Sequence, residues 1–65
     1  MHGLYYIKQD DMCVFAYNKE HEIIEWIGQD KDAALKFSSM AEAEVAVREM
    51  LTFAPRSNFK ILKLN

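Results

Sequence analysis

Apolar and polar positions change their rhythm along this chain, and the changes mark out its elements. Leu4-Tyr5-Tyr6-Ile7-Lys8 is short, aromatic and aliphatic, which predicts a first strand, and Gln9-Asp10-Asp11 supplies a polar turn after it. Met12-Cys13-Val14-Phe15-Ala16-Tyr17 predicts a second strand. Its six consecutive apolar or aromatic residues show no alternation, the pattern of a central strand covered on both faces. Asn18-Lys19-Glu20-His21 makes the next turn, and Glu22-Ile23-Ile24-Glu25-Trp26-Ile27 a third strand ended by Gly28. Connections this short leave no room for a crossover, so the three strands are expected to form an antiparallel meander.

From Phe37 onward the period becomes helical. Ser39 is placed to cap the helix start, its hydroxyl accepting from the amide of Glu42 while the Glu42 carboxylate reaches back to the amide of Ser39, a capping box. The helix is therefore expected to begin at about Met40. At about 100° per residue, Met40, Ala43, Ala46, Val47, Met50, Leu51, Phe53 and Ala54 share an arc of roughly 160°. Glu42, Glu44, Arg48, Glu49 and Thr52 take the opposite side. Pro55 has no amide to donate and disfavours helical geometry at Ala54, so the helix stops there.

Ahead of the helix, Gly28-Gln29-Asp30-Lys31-Asp32 reads as a polar loop in which Asp30 caps a single turn from Lys31 to Leu35; Leu35 and Phe37 then point into the core. After the helix, Pro55-Arg56-Ser57-Asn58 leads to a last strand, Phe59 to Leu64, with Phe59 and Ile61 on one face and Leu62 and Leu64 on the other. The expected fold is a single α+β domain over residues 1–65. It comprises a three-stranded antiparallel meander, one amphipathic helix on one face, and a final strand.

The residues Trp26, Asp30, Ala34, Phe37, Ser39 and the triplet Glu42-Ala43-Glu44 follow a Tyr-Tyr-Ile strand and precede a Lys-Ile-Leu-Lys strand. This arrangement resembles small uncharacterised proteins common in tailed bacteriophages and prophages. The second strand is wholly apolar and the helix runs on to Phe53, both departures from the simplest such proteins. The resemblance implies a phage-type accessory protein that acts by binding a host protein, and it implies no site residues.

Composition narrows the function classes. At 65 residues, folding buries only about 60% of the surface the unfolded chain exposes, so a stabilising partner is expected. The one cysteine, Cys13, cannot close an intrachain disulfide, and no Cys/His spacing suggests a structural zinc site. The net charge of −2 comes from evenly spread Lys, Arg, Asp and Glu, unlike the clustered cations of a phosphate-binding surface. No apolar run approaches the roughly 20 residues that cross a bilayer, and Met1-His2-Gly3-Leu4 does not read as a signal peptide, so a cytoplasmic location is expected.

The chemistry-bearing residues do not assemble into a catalytic pattern. His2 and His21 are far apart in sequence and read as solvated, Cys13 has no neighbouring cation to activate its thiol, and Ser39 is already used as a cap. Gly3 and Gly28 make no phosphate-cradling loop. Neither an enzyme nor a cofactor is expected. Tyr5, Tyr6, Phe15, Tyr17 and Trp26 raise the alternative of a small nucleic-acid-binding protein that stacks bases on an open sheet face. Against it, Lys8, Lys60 and Lys63 are the only cations in the expected strands, with Glu22 and Glu25 beside them.

The leading expectation is a non-enzymatic protein-interaction module. Strand side chains alternate between faces and one helix covers one face, so the other would expose an apolar patch that soluble monomers rarely leave open. The chain is expected to self-associate as a symmetric homodimer that covers this patch, with a foreign protein as the other candidate; the loop from Gly28 to Leu35 folding across the face is the plain alternative. The interface is expected among Val14, Phe15, Tyr17, Ile23 and Ile27. If the helix meets the partner instead, Val45 would be the apolar anchor, with Arg48 and Glu49 at its rim.

Overall fold

The computed structural model describes residues 3–64. Three strands come first: β1 at Tyr5–Gln9, β2 at Met12–Asn18 and β3 at Ile23–Ile27. Helix α1 at Met40–Phe53 and strand β4 at Lys60–Lys63 follow. The sheet order is β3-β2-β1-β4 and every neighbouring pair is antiparallel, giving the expected α+β architecture. The last strand lies beside β1, with registers from Tyr5 opposite Lys63 to Lys8 opposite Lys60. β1 and β2 are thereby central, and β3 and β4 become the edges, although β3 carries four apolar residues in five.

Strand ends shift for local reasons. The side chain of Asn18 accepts hydrogen bonds from the amides of Glu20 at 2.9 Å and His21 at 3.1 Å, winding the β2–β3 turn. Glu22 then falls at a φ of 57°, so this residue, expected in the third strand, closes the turn instead. Asp10 opens the β1–β2 hairpin turn at a φ of 53°, a conformation Asp tolerates better than most residues. β1 begins and ends one residue later than expected, β2 extends to Asn18, and Phe59 and Leu64 lie outside β4.

A β-bulge in β2 decides which side chains meet. Val14 pairs with Trp26 and Ala16 with Glu25, so Phe15 is an extra residue with no partner on β3. One inserted residue reverses the alternation beyond it. Val14 and Tyr17, three apart, consequently both join the helix-side core with Ile7, Ala46 and Met50. In an unbroken strand Tyr17 would point the other way.

The segment before the helix is more than a connector. β1 and β2 pair only near their turn, at Lys8 with Cys13 and Gln9 with Met12, and then diverge. Residues 35–37 enter the gap: the Leu35 amide donates to the Val14 carbonyl at 3.0 Å, and Phe37 and Tyr5 exchange two amide–carbonyl bonds at 2.9 Å. Backbone groups that the splayed strands cannot give each other are satisfied by this wedge. Just upstream, Asp30 closes its turn as expected, its carboxylate accepting from the Asp32 amide at 3.1 Å. The Lys36 ammonium ties that turn by donating to the carbonyls of Asp32 and Ala34. Ala34 is buried with Tyr6 and Cys13, against Ile27, Leu62 and Leu64, so the loop covers part of the face that the helix leaves open.

The helix starts and stops where the residues dictate. Ser39 is extended and its hydroxyl accepts from the Glu42 amide at 3.1 Å. The reciprocal half of the capping box is displaced by one residue: the Glu42 carboxylate accepts from the amide and hydroxyl of Ser38, at 3.2 and 2.9 Å, not from the Ser39 amide. Ala54 leaves helical geometry ahead of Pro55. Ala43, Ala46 and Met50 are buried as the stripe requires, with Val47 and Phe53 against them. Met40, placed on that stripe by periodicity, is 42% exposed.

Candidate functional site

The sheet has two edges of opposite character. β4 carries Lys60 and Lys63 at its two ends, the kind of charge natural sheets place on an edge to discourage pairing. β3 carries Ile23, Ile24, Trp26 and Ile27 around one charge, Glu25, and among the described residues no strand pairs with its outer edge. Ile23 is 50% exposed there. Phe15, thrust out by the bulge one strand in, is 46% exposed. By fractional exposure these two are the most open large apolar side chains among the described residues.

The other residues expected at an interface are spread over different surroundings. Val14 has no exposed surface and lies under the helix. Tyr17 is also in the helix-side core, and Ile27 packs beneath the loop with Tyr6, Cys13 and Ala34. Of the five, only Phe15 and Ile23 offer substantial apolar area to a partner. Periodicity does not reveal this division, because a bulge at an ordinary Phe, with no Gly or Pro to announce it, sets the parity.

On the helix, Val45 is 45% exposed and Arg48 is exposed beside it. Glu49 has a different job. Tyr17 donates its hydroxyl to one Glu49 oxygen at 2.6 Å, and the Lys19 ammonium lies 3.4 Å from the other. The Tyr17 bond, opposed by some desolvation and helped by Lys19, holds the Glu49 carboxyl below its ordinary value. Burial and this hydrogen bond push the Tyr17 hydroxyl up to about 12. The pair ties β2 to the helix, a role no spacing rule connects across this separation in sequence.

The aromatic residues do not line up as a stacking platform. Tyr6 is buried, Tyr17 is bound to Glu49, and Trp26 stacks on Phe59 with ring centroids 6.2 Å apart and planes 17° from parallel. Tyr5 is half-buried at the wedge, which leaves Phe15 as the exposed member of the set. An open cleft of about 270 Å³ between β1 and β4 is lined by Lys8, Asp10, Asn58, Lys60 and Leu62. Two ammonium groups beside one carboxylate give it little net charge, far from the positive track that a phosphate backbone needs.

Cys13 is buried, and His21 is exposed in the β2–β3 turn; His2 lies outside the described residues. Among the described residues no three His, Cys, Asp or Glu side chains converge on a point where a metal ion would sit. No helix there is long and apolar enough to cross a membrane. Comparison with known proteins yields no matching family model, no matching curated protein and no matching solved structure.

Proposed function

We propose that the chain is a non-enzymatic protein-interaction module that docks through the β3 edge, with Phe15 and Ile23 as its apolar anchors. The observation that carries this reading is the pair itself: Phe15 and Ile23 are about half exposed beside a strand edge that, among the described residues, no strand pairs with. In line with the sequence resemblance, the proposed setting is a phage or prophage accessory protein that binds and inhibits a host protein in the host cytoplasm. A second copy of the chain, giving a homodimer, is the competing occupant of the same surface.

The test is capture from bacterial lysate by the wild-type chain, by a Phe15→Glu/Ile23→Glu double variant and by Val45→Asp. Retention by wild type and Val45→Asp, with loss in the double variant at unchanged melting temperature, is the expected outcome. Loss in Val45→Asp alone would move the interface to the helix. Binding of single-stranded RNA or DNA that weakens steeply with salt would replace the proposal with the nucleic-acid reading.

A further inference from the structure

We propose that the outer edge of β3 accepts an extended segment of a foreign protein in which a lysine or arginine is accompanied, two residues away on the side that meets Ile23, by an apolar residue. The inference rests on the interaction reading above and names the partner's chemistry. Side chains on β3 alternate, so Ile23, Glu25 and Ile27 share the face away from the helix. Pairing with β2 confirms the sides: Cys13, opposite Ile27, is in the cluster beneath the loop, whereas Trp26 and Ile24 are in the helix-side cluster. A strand added outside β3 would place one side chain directly beside Glu25, with Cβ atoms about 5 Å apart, and a neighbour two along beside the exposed Ile23, while Ile27 is largely taken up by the loop-side cluster. Opposite charge at the centre and apolar contact on the Ile23 side is the complement of what β3 presents.

Charge around the edge selects against a second copy in this position. Between residues 18 and 32 the chain carries Glu20, Glu22, Glu25, Asp30 and Asp32 against Lys19 and Lys31, and all of these are exposed. Lys19 is already engaged with Glu49. Two β3 edges paired about a two-fold axis would bring this acidic stretch against itself, whereas a basic segment is drawn to it. The opposite edge repels such a segment, since Lys60 and Lys63 mark both ends of β4. Basic segments are therefore directed to one edge of the sheet.

The probe is a short blocked peptide with a central lysine, valine at every second position on the lysine's side and threonine on the other. Binding is read from the fluorescence of Trp26, the single tryptophan, and from amide-exchange protection across Ile23–Ile27. The lysine peptide should bind about tenfold more tightly than its central-glutamate counterpart, and Glu25→Lys should invert that preference. Methylating the peptide's backbone nitrogens should abolish binding, because strand addition needs them as donors. Equal binding of the two peptides, no binding of the lysine peptide at about 1 mM, or undiminished binding of the methylated one overturns the inference. Loss of a captured partner in the Phe15→Glu/Ile23→Glu variant without any peptide preference would leave the interaction reading standing and remove only this partner chemistry.

Discussion

Ser39 and Tyr17 each make one hydrogen bond that stands for a larger arrangement. Ser39→Ala orphans the Glu42 amide at the helix start and should cost about 0.5 to 2 kcal/mol, a large share of the stability of so small a domain. Ser38→Ala, which removes only the hydroxyl's bond to the Glu42 carboxylate, should cost less; equal losses in thermal melts would show that the cap is misassigned. Tyr17→Phe keeps the ring in the helix-side core and deletes the bond to Glu49, with an expected loss of about 1 kcal/mol at neutral pH. The pH dependence has two arms. The Tyr17 hydroxyl is raised from 10.0 to about 12, so its contribution is intact below pH 10 and fades as pH climbs towards 12. Glu49 is depressed, so its contribution is present above its ordinary value of 4.5 and fades as pH falls through its lowered one. The difference in melting temperature between wild type and Tyr17→Phe should therefore shrink at both extremes, and a difference constant from pH 3 to pH 12 would contradict the assignment.

At the scale of elements, the stretch between β3 and α1 behaves as part of the sheet. Ala34 closes the far-side cluster, Leu35 and Phe37 bond to β2 and β1, and Phe37 packs with the helix-side core, so the chain passes from one face to the other through the gap in the β1–β2 hairpin. The amides of Leu35 and Phe37 should exchange with solvent as slowly as those of the strands, while the Gln29 amide, in the polar stretch ahead of the turn, exchanges fast. Leu35→Pro removes the donor to the Val14 carbonyl and should destabilise by about 1 to 3 kcal/mol. Rapid exchange at Leu35 and Phe37 in the wild type would reduce the wedge to an ordinary surface loop.

For the whole molecule, the outstanding question is how its remaining apolar surface is covered. A face left open by the helix argues for a dimer, and the loop removes part of that argument by sheltering Tyr6, Cys13 and Ile27. What remains includes Phe15 and Ile23 near one acidic edge, with Leu4, Met12, Met40 and Val45 exposed elsewhere. Sedimentation at micromolar concentration should return a species of about 7.6 kDa with a concentration-independent melting temperature if that edge serves a foreign segment. A dimer whose association strengthens with salt would show that self-pairing overcomes the repulsion between two acidic edges, and would assign Phe15 and Ile23 to it.

The amino-acid sequence by itself determined the elements and their order. Local rules suffice for those: short polar turns between apolar runs force antiparallel neighbours, Ser39 and Pro55 bound the helix, and the 3.6-residue period selects Ala43, Ala46 and Met50 for burial. Tertiary structure decided the rest. The bulge at Phe15 set which face Tyr17 joins, and the divergence of β1 from β2 made room for Leu35 and Phe37. Placing β4 beside β1 left β3 as the other, acidic edge. Each of these depends on how backbone hydrogen bonds distant in sequence are satisfied together, and no pattern of apolar and polar residues along the chain carries that information.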